Sequence, residues 1–389
     1  MQVLYIQFAN SMFKRHEACD AYWEAFYSRW EHIGYYCGKN TFEIPKWVAE
    51  ISYFTEGELF WCHHKVDEAI QKINSNEYPY VLMSLMNANQ FFIEEIIKAC
   101  PNQKFVIGGY NDKFLSYLGE TYKNTTICRT TRETADAIGA KYKFGTDYSL
   151  FKGEKAIPRL TMSYGCLNRC KFCIVPHGKI TPVPEDVIVQ QIKSFEPLNY
   201  RLVYLDDKTY GQCPNFSLTG ELPKYMGDDK DNFNGFIVQT TSKMLYPTRC
   251  DEFVKAKVKV AEIGLESFND DILKAYNKPS SEQSVIEAID NCNAVGIRPI
   301  VNIIVGLDEE TDDTYKRTFD FVMPLLENEK IIGINPAIYT DYNNEENLGE
   351  IDFIKDEKTE MHYKWWNLFN KTATHILKTN LIKATNKLN

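Results

Sequence analysis

Short apolar runs, set apart by stretches in which apolar and polar positions mix, mark out the first 150 residues. The run at 3–8 predicts a first strand, and those at 80–86, 104–107 and 125–128 predict three more. Segment 91–99 predicts a helix that stops at Cys100-Pro101, because the residue before a proline avoids helical geometry. Another helix opens at Thr131, with Glu133 close behind. Strands alternating with helices predict an open parallel α/β sheet, a Rossmann-like first domain over 1–150. Between Tyr35 and Trp61 the pattern is ambiguous, and no strand is assigned.

From about residue 150 the alternation is more regular. Strands are predicted at 159–163, 202–205, 235–239, 260–264, 299–305 and 331–334. The clearest helix is 281–295: Ser280 or Ser281 caps it, Val285, Ile286, Ile289 and Val295 share a face, and Gly296 ends it. Six βα units in series predict a partial (βα)6 barrel over 151–342, with its chemistry at the C-terminal ends of the strands. The remainder, 343–389, is a C-terminal tail. Its first part, 343–360, is acidic and loop-like. Segment 361–389 carries Lys364, Lys371, Lys378, Lys383 and Lys387 without a carboxylate side chain. It predicts a helix whose lysines form a solvated face rather than an anion-binding element.

Composition narrows the function classes. The length of 389 residues predicts two domains, and 44% hydrophobic with 25% charged residues predicts a folded chain. No run approaches the ~18 apolar residues that span a bilayer. The N-terminus reads as a strand rather than a signal peptide, so a cytoplasmic protein is expected. A net charge of −9 disfavours a broad basic surface for duplex nucleic acid. Of eleven cysteines, eight are scattered and three crowd into eight residues. That distribution fits a reduced compartment and one metal site better than a disulfide scaffold.

Residues 164–173 read Tyr-Gly-Cys-Leu-Asn-Arg-Cys-Lys-Phe-Cys, which spaces Cys166, Cys170 and Cys173 as C-x3-C-x2-C directly after a predicted strand. Three thiolates on a four-iron cluster leave one iron open for another ligand. The alternative is zinc: His177 extends the series to C-x3-C-x2-C-x3-H, a closed structural site in a non-catalytic binding protein.

The triplet, the strand before it and the βα series after it resemble the radical S-adenosylmethionine (radical SAM) superfamily over about residues 155–340. The resemblance implies that Cys166, Cys170 and Cys173 hold a [4Fe-4S] cluster whose open iron is chelated by S-adenosylmethionine. It implies one-electron cleavage of the sulfonium and a 5′-deoxyadenosyl radical that abstracts hydrogen from an unactivated position, the cofactors carrying this chemistry. It further places Phe172 beside the cluster and adenine, and Asp206 and Asp207 near the methionyl amine, although either acid also suits a helix cap. Glu266, in Ile-Gly-Leu-Glu-Ser, is the acid expected to contact the cofactor. Ile304, Gly306 and Glu309 fit the adenine-side motif, and Glu309 alternatively reads as a solvated acid. Ser242 and Lys243, after the third strand, are weaker matches for ribose or carboxylate contacts. Cys213 and Cys250 read as structural thiols.

Two branches of the superfamily compete. Ser84, followed by Gly108 and Gly109, resembles the end of a cobalamin-binding-like fold, where a diglycine lets the nucleotide tail approach the backbone. The Asp-x-His-x-x-Gly motif, whose histidine ligates cobalt, is absent, so cobalamin is left open as a third cofactor. Residues 170–176 are similar to the methylthiotransferase cluster loop, but Cys37, Cys62 and Cys100 do not sit in that family's N-terminal motifs, and the tail shows no β-barrel pattern. The expected substrate is an unidentified small molecule, peptide or nucleoside, with nucleic acid disfavoured. The expected reductant is an electron donor such as flavodoxin or ferredoxin. No membrane partner is expected.

Overall fold

A strand covered by helices on both faces has to be apolar on both, and Val3, Leu4, Tyr5 and Ile6 meet that demand, all four being buried. The computed structural model describes residues 2–13, 16–75, 77–109, 111–175, 177–227, 231–339 and 356–386. The chain runs β1 (Gln2–Phe8), α1 (Glu17–Trp30), α2 (Lys46–Ser52), β2 (Glu56–Cys62), α3 (Val66–Asn74) and β3 (Val81–Leu85). It continues through α4 (Gln90–Ala99), β4 (Phe105–Gly109), α5 (Asp112–Thr121), β5 (Thr125–Ile127) and α6 (Thr131–Ala137). Next come β6 (Arg159–Leu160), β7 (Ser163–Cys166), β8 (Lys179–Pro182), α7 (Glu185–Lys193), β9 (Leu202–Leu205) and β10 (Gly235–Thr240). The last elements are α8 (Pro247–Lys255), β11 (Val258–Glu266), α9 (Asp270–Ala275), α10 (Glu282–Val295), β12 (Arg298–Val305), α11 (Asp312–Glu327), β13 (Gly333–Ile338) and α12 (Glu357–Asn386). They pack as two units. One holds 1–15, 37–156 and 189–199; the other holds 16–36, 157–188 and 200–389.

The first unit is a five-stranded sheet in the order β2-β1-β3-β4-β5, parallel throughout. That order reverses direction between β1 and β3, which opens a crevice beyond the C-terminal strand ends. Leu4, Ile6, Val81, Met83, Ile93, Phe105 and Leu115 form the core under its helices. β2 falls in the stretch to which the sequence assigned no strand. It pairs with β1 along its whole length, yet only Cys62 of its residues is fully buried, and its apolar stretch is just Leu59-Phe60-Trp61-Cys62 after the polar start Glu56-Gly57-Glu58. Ser84 faces Gly108 and Leu85 faces Gly109 in register. Gly109 has φ 143°, and a Cβ there would run into the Leu85 carbonyl, so the position admits only glycine.

The second unit is a six-stranded parallel sheet in the order β13-β12-β11-β10-β9-β6, the sequential order of a barrel wall left open at two edges. The strand expected at 159–163 divides: β6 stays in the sheet, while β7 leaves it to pair with β8 as a hairpin. Helix α1 and the turn after it close the N-terminal end of this sheet. The Trp30 indole N–H donates to the Ile332 carbonyl (2.8 Å), Arg298 lies over the Trp30 ring, and Asn234 donates to the Ile33 carbonyl (2.7 Å). The predicted tail helix is α12. It buries His362, Trp365, Trp366, Phe369, Ala373 and Leu377, while Lys364, Lys371, Lys378 and Lys383 are exposed, as expected of a packing helix. Lys387 and most of the acidic segment 343–360 lie outside the described residues. Among the described residues, no helix is long and apolar enough to cross a membrane.

The fully buried Tyr22 hydroxyl accepts the Ile334 amide N–H (3.0 Å) and donates to the Ile334 carbonyl. Tyr22→Phe orphans both backbone groups and is expected to cost about 1–3 kcal/mol, read as a lower urea midpoint at unchanged slope.

Candidate active site

The cysteine loop is held from its flanks. Asp207, just past β9, is 2% exposed, and its carboxylate accepts both the Ser163 amide (2.7 Å) and the Ser163 hydroxyl (2.8 Å). That anchors β7 three residues before Cys166. The Cys166 sulfur lies 3.3 Å from the Thr209 hydroxyl, and the Gln212 side-chain carbonyl accepts the Leu167 amide (3.0 Å). Across the loop, the Lys171 amide donates to the Tyr276 carbonyl (2.9 Å), and the Cys173 amide donates to the Cys170 carbonyl (3.1 Å). Cys166 and Cys170 are buried and Cys173 is half-buried. Burial pushes the Cys170 thiol up to about 11; the Lys278 ammonium opposes this, while Glu266, Cys173 and Cys166 add to it. The three sulfurs therefore share one electrostatic neighbourhood.

Three thiols with no imidazole among them form a soft donor set, suited to an iron–sulfur cluster. Among the described residues, no three His, Cys, Asp or Glu side chains come close enough to hold a single metal ion. A four-iron cubane takes one thiolate at each of three corners and does not call for three donors gathered on one ion. His177, the fourth ligand of the zinc alternative, is exposed, with Nδ1 2.8 Å from the Val175 carbonyl oxygen.

The facing side of the site comes from strand ends. β11 shifts register between Gly264 and Glu266, and Glu266 sits at φ 65°, a left-handed conformation that costs of order 1–3 kcal/mol for a side-chain-bearing residue. Its buried carboxylate pairs with the buried Lys278 ammonium. Burial pulls the Lys278 ammonium down, but Glu266 foremost, with Cys170 and Cys173, outweighs it and leaves the value raised. Lys278 also lies 5.7 Å over the Phe172 ring. Phe172, Ile304 and Tyr339 pack around Ile272, Tyr276 and Leu307. Gly306, at φ 114°, donates its amide to the Tyr315 hydroxyl (2.8 Å). The Tyr276 hydroxyl is raised to about 12 by burial, with the Glu309 carboxylate beside it, while Glu309 is itself exposed.

The structure therefore brings Phe172, Glu266, Ile304 and Gly306 to the cysteine side of the sheet, with Glu309 at the margin. Asp206 pairs with Arg159 (2.6 Å), and Asp207 anchors Ser163 rather than capping a helix. Ser242 meets Ser284 of α10 (2.7 Å) and Lys243 is exposed, so neither is drawn to the cysteine loop by a bond described here. Sequence reasoning missed Lys278, Thr209, Gln212 and Tyr276. Thr209 and Gln212 follow directly on β9, where a barrel strand end was a signal; Lys278 and Tyr276 had none.

In the first unit, Ser84, Gly108 and Gly109 line a cavity of about 180 Å³ together with Trp47, Val106 and Thr131. It borders the C-terminal ends of β3 and β4.

Residues 160–322 match the family described as the Radical SAM superfamily. A tRNA-2-methylthio-N(6)-dimethylallyladenosine synthase of Helicobacter hepaticus is 32% identical over 258 residues, covering 60% of this chain and 51% of that one. The corresponding synthase of Fusobacterium nucleatum is 22% identical over 252 residues, covering 59% of this chain and 54% of the relative. The chain thus spans about half the length of the curated relatives it matches. Among solved structures, the cobalamin-dependent S-adenosylmethionine radical enzyme OxsB is similar at TM-score 0.59 and 13% identity, covering 96% of this chain and 56% of its own. The radical S-adenosylmethionine methyltransferase TsrM of Kitasatospora setae is similar at TM-score 0.58 and 12% identity, covering 87% and 75%. At such identities these likenesses speak to the fold.

Two substitutions test the site. Cys170→Ala is expected to abolish iron retention after anaerobic reconstitution while leaving the far-ultraviolet circular dichroism unchanged. Burial foremost pushes the Asp207 carboxyl up from 3.8 to about 6, against its two Ser163 bonds, so its proton is held more tightly in the folded chain. This group therefore loses stability as pH rises from about 4 through about 6. Asp207→Asn keeps the accepting oxygen and removes the charge. Urea unfolding at pH 4.5 and pH 7 should show the variant gaining on the parent as pH rises.

Proposed function

We propose, for a chain whose residues 160–322 match the Radical SAM superfamily, an enzyme that cleaves S-adenosylmethionine reductively and functionalises a C–H bond of its substrate. The observation that carries this reading is the gathering of Cys166, Cys170 and Cys173 beside Glu266 and Lys278 at the strand ends of the six-stranded sheet. These three thiols would hold a four-iron cluster, which with bound S-adenosylmethionine supplies the one-electron cleavage that yields a hydrogen-abstracting radical. The chain's own part is orientation and exclusion of water. Phe172, Tyr276 and Leu307 give the site an apolar flank, Glu266 offers a carboxylate to a bound amine or hydroxyl, and Gly306 keeps the end of β12 bare of a side chain. A one-electron donor such as flavodoxin or ferredoxin completes the scheme.

The cobalamin-dependent form of this chemistry is favoured by a fold likeness that runs through both units, 96% of the chain with OxsB. The cavity lined by Ser84, Gly108 and Gly109 supports this reading, since Gly109 leaves its backbone bare for the close approach of a nucleotide tail. The segment after β1 reads Ala9-Asn10-Ser11-Met12, so it offers no histidine to cobalt. When bound, a corrinoid would supply methyl transfer. A second reading, methylthiolation of an RNA, is favoured by the curated relatives. Against it, Cys37, Cys62 and Cys100 do not sit in that family's N-terminal cysteine motifs, and the Cys62 sulfur is engaged by the Lys65 carbonyl (3.1 Å) in the core of the first unit.

Reconstituted protein, S-adenosylmethionine and dithionite should release 5′-deoxyadenosine, and Cys173→Ala should release none. S-adenosylhomocysteine appearing only with added cobalamin, and corrinoid absorbance retained through gel filtration, are expected of the cobalamin form. A methylthio group on added tRNA without cobalamin would overturn it in favour of the second reading.

A further inference from the structure

The turn after β12 begins at Gly306, whose φ of 114° takes the chain out of the strand. Two phenol hydroxyls accept its amides. Gly306 N–H donates to Tyr315 of α11 (2.8 Å), and Asp308 N–H donates to Tyr276 (3.0 Å). Tyr276 also holds the cysteine loop, through its carbonyl and the Lys171 amide (2.9 Å). Leu307, between the two bonded amides, is buried in one cluster with Tyr276, against which Phe172 packs. The turn therefore abuts the cysteine loop.

Tyr315 does not end this chain of bonds. Its hydroxyl lies 2.7 Å from Nδ1 of His362 on α12, and both residues are buried. Burial foremost, with Glu310 nearby, raises the phenol above its ordinary value, so it keeps its proton. An oxygen that accepts from Gly306 and keeps its proton donates that proton to Nδ1, which makes His362 a neutral acceptor. Burial foremost lowers His362 as well, in keeping with the neutral form. An apolar side chain at 362 would fill the same space but orphan the phenol proton, and phenylalanine at 315 would orphan the Gly306 amide. Bonding, rather than packing alone, accounts for the imidazole.

Helical spacing shows how α12 reaches the turn. Lys358, His362 and Trp365 stand at i, i+4 and i+7, on one face. Lys358 pairs with Asp308 (3.3 Å), and the Trp365 indole donates to Asp312 (2.6 Å), so this face grips the segment 306–312 near both ends. The Lys358 pair is exposed and contributes little. The His362 bond is buried, where water cannot replace it.

We propose that Tyr315 and His362 are positioning residues for the cofactor site: their bridge from α12 fixes the Gly306 turn against the cysteine loop, and thereby sets how tightly S-adenosylmethionine is held. The identity of the bound molecule rests on the radical SAM reading; the hold of the bridge on the turn does not.

The test compares the reconstituted full chain with Tyr315→Phe, His362→Leu and His362→Asn. Amide hydrogen exchange of the 303–310 peptide reads the turn, and calorimetry with S-adenosylmethionine, without reductant, reads the site. Tyr315→Phe and His362→Leu should speed exchange and weaken binding about tenfold, with iron content unchanged. His362→Asn sets a side-chain oxygen where Nδ1 stood and should recover most of both, which a space-filling role does not predict. At saturating S-adenosylmethionine, 5′-deoxyadenosine release should stay near the parent's, placing the loss on KM rather than kcat. Parent-like binding in Tyr315→Phe, or His362→Asn as weak as His362→Leu, overturns the proposal. If circular dichroism shows His362→Leu unfolded, Tyr315→Phe alone decides. A parent that neither binds S-adenosylmethionine nor releases 5′-deoxyadenosine defeats the radical reading, while exchange still reports whether the bridge holds the turn. An active parent whose variants bind and exchange as it does defeats the positioning alone.

Discussion

Asp207 is a carboxylate with almost no access to water, and both of its bonds to Ser163 are spent on fixing where β7 begins. Three thiols within eight residues have no core of their own, so their positions are inherited from what holds the loop. The inheritance runs from β9 through Asp207 to Ser163, and from Thr209 and Gln212 to Cys166 and Leu167. On the other flank it runs from the Tyr276 carbonyl to Lys171. A net hydrogen bond is worth only about 1 kcal/mol, but a buried acceptor left empty costs more, which is why such a clamp holds as a set.

The Glu266–Lys278 pair meets the same constraint from the other side. Glu266 pays backbone strain at φ 65° to aim its carboxylate past the end of β11, and Lys278, twelve residues on, answers it. Removing one partner of a buried pair typically costs about 3–5 kcal/mol, because the other charge is left uncompensated. Charge of both signs therefore stands beside the sulfurs, where the reduction behaviour of a cluster is set by nearby charge and hydrogen bonding.

What was legible in the sequence follows from how local each signal is. Strands buried on both faces read as apolar runs, so β1, β3, β4 and the barrel strands stood out, and Cys166, Cys170 and Cys173 announced themselves by spacing alone. The edge strand β2 did not, since its side chains are only half-buried. Lys278 has no motif; its role exists only once α9 folds back and sets it against Glu266. Asp207 was legible as an acid at a strand end, but its true partner, Ser163, is 44 residues away. Helix α1 is the hardest case, because its apolar face is matched by residues about 300 positions later.

That last separation bears on how the chain is made. Tyr22 and Trp30 leave the ribosome well before Ile332 and Ile334, which accept their bonds and come 302 and 312 residues later. At about 5–20 residues per second, the aromatic face of α1 waits roughly 15–60 s for its seat. Through that interval the sheet meant for the chemistry has an unsealed base, and the apolar side chains of α1 are available to whatever else the cell offers them. Assembly of this unit therefore waits until β13 is made, about 300 residues after α1.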